Sequence, residues 1–99
     1  MNKCYITGKI TGLTENEYTG MFQEAQHEVC KLGLIPVSPL NLPHNHGKTW
    51  SEFMREDLKA MLDCTHVYAL SNWRQSPGAT IEMNLALSLG LNIIHQENS

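Results

Sequence analysis

Four short apolar runs alternate with three helical patterns along this chain of 99 residues, and no other feature restricts its fold as much. The runs are residues 4–7 (CYIT), 34–37, 66–70 and 92–95. A helical pattern follows each of the first three. Thr14 and Glu17 have the spacing of a capping box, and Tyr18, Met21, Phe22, Ala25, Val29 and Leu32 then recur at helical intervals until Gly33 stops the helix. Thr49 and Glu52 form a second box, opening a helix to about Leu62. Its apolar stripe is Trp50, Phe53 or Met54, Leu58, Met61 and Leu62. Ser76 suits the N-cap of the third helix, Pro77 its first position, residues 79–89 its body and Gly90 its stop.

Strands that alternate with helices are joined by right-handed crossovers, which gives a parallel sheet covered on both faces. The expected fold is α/β, a doubly wound, flavodoxin- or Rossmann-like three-layer sandwich forming one domain over residues 1–99. Its parallel sheet has four strands, or five, in the order 2-1-3-4. Such sheets take ligands outside the C-terminal strand ends, near the switch point between strands 1 and 3. That rule selects the loops at residues 8–13, 38–48 and 71–78.

Two carboxylates sit where apolar side chains belong. Glu82 shares a helical stripe with Ala79, Met83 and Ala86, whereas Asn84 and Ser88 occupy the solvent side. Asp57 falls within the stripe 50, 54, 57, 61 of the second helix. An isolated buried carboxylate is costly, so each needs hydrogen bonds, a raised pKa or a cleft to face. Either acid alone reads equally well as an edge carboxylate bonded to a backbone N–H. Two of them on helices flanking one strand suggest divided roles, because neighbouring carboxylates can hold different protonation states.

Other residues carry weaker signals. Tyr5 reads as a core tyrosine or as a hydroxyl near the C-terminal edge of the first strand. The loop Gly8-Lys9-Ile10-Thr11-Gly12 could offer N–H groups, an ammonium and a hydroxyl to an anion, or be a plain turn. Ser76 caps a helix or binds a phosphate, and Trp73 stacks on a base or covers the core. His44 and His46 lack a second ligand cluster, which favours a solvated loop over a metal site. Cys4, Cys30 and Cys64 form no C-x-x-C pair and read as reduced thiols. A net charge of −3 with no basic cluster argues against a nucleic-acid polymer as partner. No apolar run is long enough to span a membrane, and the N-terminus lacks the apolar region of a signal peptide, so a cytoplasmic location is expected.

The blocks YITGKITG, REDL and SPGATIEMNLALSLGL, in that order, resemble the nucleoside 2-deoxyribosyltransferase superfamily. The resemblance is closest to its short DUF4406-type branch and to the deoxynucleoside 5′-monophosphate N-glycosidases. It covers nearly the whole chain, and Gly-Ala-x-x-Glu-x-x-x-Ala-x-x-x-Gly is its most specific part. Lys9 stands where the short branch usually has proline.

The resemblance implies that Glu82 is the nucleophile at C1′ of a sugar, that Asp57 positions or protonates the leaving base, and that Tyr5 orients Glu82. It implies substrate contacts from Gly8, Lys9, Ile10, Thr11, Trp73, Ser76 and Gly78, with serine at position 76 leaning towards a 5′-phosphate. The implied function is cleavage of an N-glycosidic bond in a nucleoside or nucleotide. Water as acceptor makes a hydrolase and a second base makes a transferase. Neither a metal nor a redox cofactor is needed. The alternative is a nucleotide-binding or sensing module that keeps the cleft without turnover, and a structural α/β subunit is a third reading. A homodimer is expected, because the third helix has apolar residues on two sides, Met83 and Ala86 on one and Ile81, Leu85 and Leu89 on another.

Overall fold

The computed structural model describes residues 2–42 and 49–97. Its elements run β1 (Lys3–Thr7), α1 (Glu15–Lys31), β2 (Ile35–Val37), α2 (Trp50–Leu62), β3 (His66–Ala69), α3 (Pro77–Ser88) and β4 (Asn92–His95). Short 3-10 turns at Pro39–Asn41 and Trp73–Gln75 follow β2 and β3. The strands form one parallel sheet in the order β2-β1-β3-β4, which is the order expected from the crossovers.

Local chemistry sets the helix ends. Both capping boxes form: Glu17 N–H donates to Thr14 Oγ1 while Thr14 N–H donates to Glu17 Oε1, and Thr49 and Glu52 repeat the exchange. Gly33 and Gly90 have φ of 79° and 74°, the left-handed conformation that closes a helix. At both ends the next two N–H groups reach back to the last turn, Gly33 to Cys30 O and Leu34 to Val29 O, then Gly90 to Leu87 O and Leu91 to Ala86 O. These pairs satisfy carbonyls that the helix leaves open.

Strand alternation sorts the core into two layers. Cys4 and Ile6 of β1, with Tyr68 and Leu70, pack against Phe22, Ala25 and Val29 of α1. Tyr5, Val67 and Ala69 point the other way, onto Met61 of α2 and Met83 and Ala86 of α3. Helices therefore cover both faces, and α2 and α3 lie together on the face that receives Tyr5.

The structure corrects three details. The third helix starts at Pro77 under the Ser76 cap, as expected, but ends at Ser88, with the expected last residue Leu89 serving as its C-cap. Leu32 is the C-cap of α1 and is exposed, outside the buried stripe. Trp50 and Leu62 are exposed as the first and last residues of α2, and within that helix only Met54 and Met61 are buried. Among the described residues, no helix is long and apolar enough to cross a membrane.

Gly8 follows β1 where the backbone runs against a core side chain. A Cβ there would lie 2.3 Å from Leu70 Cδ1 and 2.8 Å from Leu70 Cβ, whereas a Cβ on Gly20, within α1, would meet nothing within 4 Å. Gly8→Ala should therefore lower stability by roughly 1–3 kcal/mol through overpacking. Gly20→Ala should raise it by roughly 0.5–1 kcal/mol through helix propensity. Urea unfolding of both variants checks the pair, and equal shifts would contradict the packing at Gly8.

Candidate active site

Thr7 ends β1 at the C-terminal edge of the sheet, and a cavity of about 730 Å³ opens beside it. That volume suits a small-molecule ligand. Tyr5, Gly8, Ile10 and Thr11 line it from β1 and the following loop, and Pro39 and Leu40 from the turn after β2. Trp50, Phe53, Met54 and Asp57 line it from α2, and Ser76, Pro77, Gly78, Ala79 and Glu82 from the start of α3. All three loops selected by the strand-end rule, those after β1, β2 and β3, contribute.

Glycine allows the close approach of α3 to α2. A Cβ on Gly78 would lie 3.1 Å from Met54 Sδ. Ser76 Oγ accepts from Ala79 N–H at 3.2 Å, which fixes the first turn of α3. Glu82 falls on the inner stripe with Ala79, Met83 and Ala86 and is only 5% exposed.

Two hydroxyls from one strand face hold that carboxylate. Tyr5 Oη donates to Glu82 Oε2 at 2.7 Å, and Thr7 Oγ1 donates to Glu82 Oε1 at 2.7 Å. Residues two apart on a strand point the same way, so Tyr5 and Thr7 meet the same helix. Both are fully buried. Asp57 faces the group from α2, and one of its carboxylate oxygens is shielded from solvent.

Electrostatics follow from this geometry. Burial pushes the Glu82 carboxyl from 4.5 up to about 7; the hydroxyls of Tyr5 and Thr7 oppose that rise and the charge of Asp57 adds to it. Burial also raises the Tyr5 phenol well above 10, with the charges of Glu82 and Asp57 adding to the rise. Tyr5 therefore keeps its proton and remains a donor at neutral pH.

Most of the residues singled out in the sequence line this cavity: Tyr5, Gly8, Ile10, Thr11, Asp57, Ser76, Gly78 and Glu82. Lys9 and Trp73 do not. The Lys9 N–H donates to Asn72 Oδ1 at 3.0 Å, tying the first loop to the third, and the end of its side chain lies over Gly12. Trp73 packs on the core layer under α2 and α3, with the Arg74 guanidinium 4.6 Å from its ring centre. The rings of α2 at the cavity wall are instead those of Trp50, 56% exposed, and Phe53. His44 and His46 lie outside the described residues. Sequence reasoning missed Thr7, although its position two residues after Tyr5 was a usable signal.

Residues 2–95 match the family described as "Domain of unknown function (DUF4406)". No curated protein matches the sequence. Among solved structures, the chain is similar to a 2-deoxyribosyltransferase from the psychrotolerant bacterium Bacillus psychrosaccharolyticus, with 17% identity and a TM-score of 0.70 over 94% of this chain and 70% of that one. A 2-desoxiribosyltransferase from Leishmania mexicana gives 14% identity and a TM-score of 0.70 over 96% of this chain and 63% of that one. A conserved protein from Enterococcus faecalis gives 19% and 0.69, over 96% and 62%. These likenesses establish the fold.

The Glu82 ionisation also governs stability. A carboxyl whose pKa is raised by folding binds its proton more tightly in the native state than in the unfolded one. Stability is therefore lost as pH rises from about 4.5 through about 7. Glu82→Gln removes the charge and should raise the melting temperature at about pH 8, by up to roughly 3 kcal/mol of stability. The gain should shrink towards about pH 5, where both side chains are neutral. Thermal scans at the two pH values check this, and a variant less stable at the higher pH would contradict it.

Proposed function

The chain belongs to the DUF4406 family, and from that premise we propose that it cleaves the N-glycosidic bond of a nucleoside or nucleotide, with Glu82 as the nucleophile. One observation carries the reading. A carboxylate buried to 5% exposure faces a ligand-sized cavity, with both oxygens held at 2.7 Å by hydroxyls and a second carboxylate, Asp57, opposite. A merely structural acid would more cheaply be replaced by an apolar side chain. The 2-deoxyribosyltransferases that share this fold act on the class of bond that such a pair of acids suits.

In the proposed step a Glu82 oxygen forms a bond to C1′ as the bond from C1′ to the base nitrogen breaks. The electron pair leaves with the base, and Asp57 supplies or relays the proton the base takes up. The transition state carries positive charge at C1′, which the ionised carboxylate also stabilises. Water then releases the sugar, or a second base accepts it. Tyr5 orients Glu82. The apolar wall of Leu40, Trp50, Phe53 and Met54 suits a flat base. Ser76, whose oxygen serves as the cap, still has an O–H to offer a 5′-phosphate beside Thr11. The chemistry needs no metal or redox group.

Incubation with 2′-deoxynucleosides and their 5′-monophosphates, with and without an acceptor base, tests the proposal by chromatography of released base. The native protein should release base, and Glu82→Ala should not. The rate should rise with pH through about 7, because only ionised Glu82 attacks. Full activity in Glu82→Ala would sink the mechanism. Ligand-induced stabilisation without base release would instead favour the non-catalytic binding module.

The proposal includes a symmetric homodimer. Leu62 of α2 and Ile81 and Leu89 of and after α3 are exposed apolar residues on the helices that wall the cavity. A second copy would cover them. Light scattering at low micromolar concentration should give a dimer, and a clean monomer of 11.2 kDa would remove this part of the proposal.

A further inference from the structure

We propose that Thr7 is a positioning residue for Glu82, holding Oε1 while Tyr5 holds Oε2, so that the carboxylate presents one fixed face to the cavity. This rests on the reading of Glu82 as the nucleophile. Thr7 is fully buried on the strand face that packs against α3, and its hydroxyl lies 2.7 Å from Glu82 Oε1. Valine has nearly the same shape and suits a buried strand at least as well, without a polar group to satisfy. Packing alone therefore does not call for a hydroxyl at this position. The hydroxyl does act on a carboxylate that lines the ligand space.

Geometry gives it a task that Tyr5 cannot perform alone. The terminal torsion of a glutamate is soft, so a carboxylate held at one oxygen can swing about that bond. Tyr5 reaches Oε2 from two residues away on the same strand, and Thr7 reaches Oε1. Two anchors on different oxygens stop the rotation. Both anchors also favour the ionised carboxylate, which accepts both hydrogen bonds, over the neutral acid. The charged or titratable groups around it are Tyr5 from β1 and Asp57 from α2, and the other described lining residues are uncharged. Tyr5 stays protonated because its own ionisation lies well above 10, and a threonine hydroxyl does not titrate. The two donors are thus constant while Glu82 titrates between them.

Carbon-13 NMR of the glutamate carboxyls in native protein, Thr7→Val and Thr7→Ser tests this without requiring turnover, with the Glu82 resonance identified by its loss in Glu82→Gln. Thr7→Val should raise the Glu82 midpoint by roughly one pH unit, the effect of losing one hydrogen bond to a charged group. Thr7→Ser should keep the native midpoint. Thr7→Ala serves as a second hydroxyl-free variant should Thr7→Val fold poorly. In the base-release assay, Thr7→Val should lose roughly fivefold in kcat near neutral pH, as expected for that shift. KM should hold, the deficit should shrink as pH rises, and serine should restore the native profile. An unchanged midpoint in both hydroxyl-free variants would overturn the proposal. A shifted midpoint in a protein that releases no base would retain the two-anchor arrangement while rejecting Glu82 as nucleophile.

Discussion

A carboxylate taken out of water has to be compensated, and in this protein β1 supplies the compensation for Glu82. The strand offers two hydroxyls on one face, from Tyr5 and Thr7, each 2.7 Å from a different oxygen. Without them, burial next to Asp57 would drive the group still further towards its neutral form. The rest of the site depends on this contact. It fixes how α3 sits on the sheet at the level of Glu82, and it leaves the carboxylate facing the cavity between α3 and α2.

Two glycines flank the site where the backbone passes close to neighbouring side chains. Gly8 lets the chain leave β1 against Leu70, and Gly78 lets the first turn of α3 come up to Met54. The 730 Å³ cavity lies between these points. The doubly wound topology places it at the C-terminal strand ends, where loops from neighbouring strands diverge. The fold thus creates the space, and the side chains of β1, α2 and α3 give it chemistry.

Much of this was legible in the chain itself. The two Thr-x-x-Glu boxes, the glycines at positions 33 and 90 and the alternation of runs correctly indicated helices, stops and a parallel sheet. These are local signals, carried by capping, conformational preference and periodicity. The same periodicity placed Glu82 on the buried stripe of α3. It misled where a helix overhangs its neighbours. Trp50 and Leu62 fit the stripe of α2 by angle but lie at its two ends, and both are exposed.

The sequence by itself determined the order of the elements, where most of them begin and end, and which face of each strand and helix turns inward, because these depend on neighbours within a few residues. The tertiary structure decided which inward residues meet. Thr7 and Tyr5 reach Glu82 across separations of 75 and 77 residues. Trp50 lines the cavity, whereas Trp73 turns onto the core under Arg74. Lys9 leaves the cavity to its neighbours and ties its backbone to Asn72. Such outcomes depend on the rotation and axial shift of each helix over the sheet. Those quantities are set by the packing of all the layers at once, and no local pattern along the chain carries them.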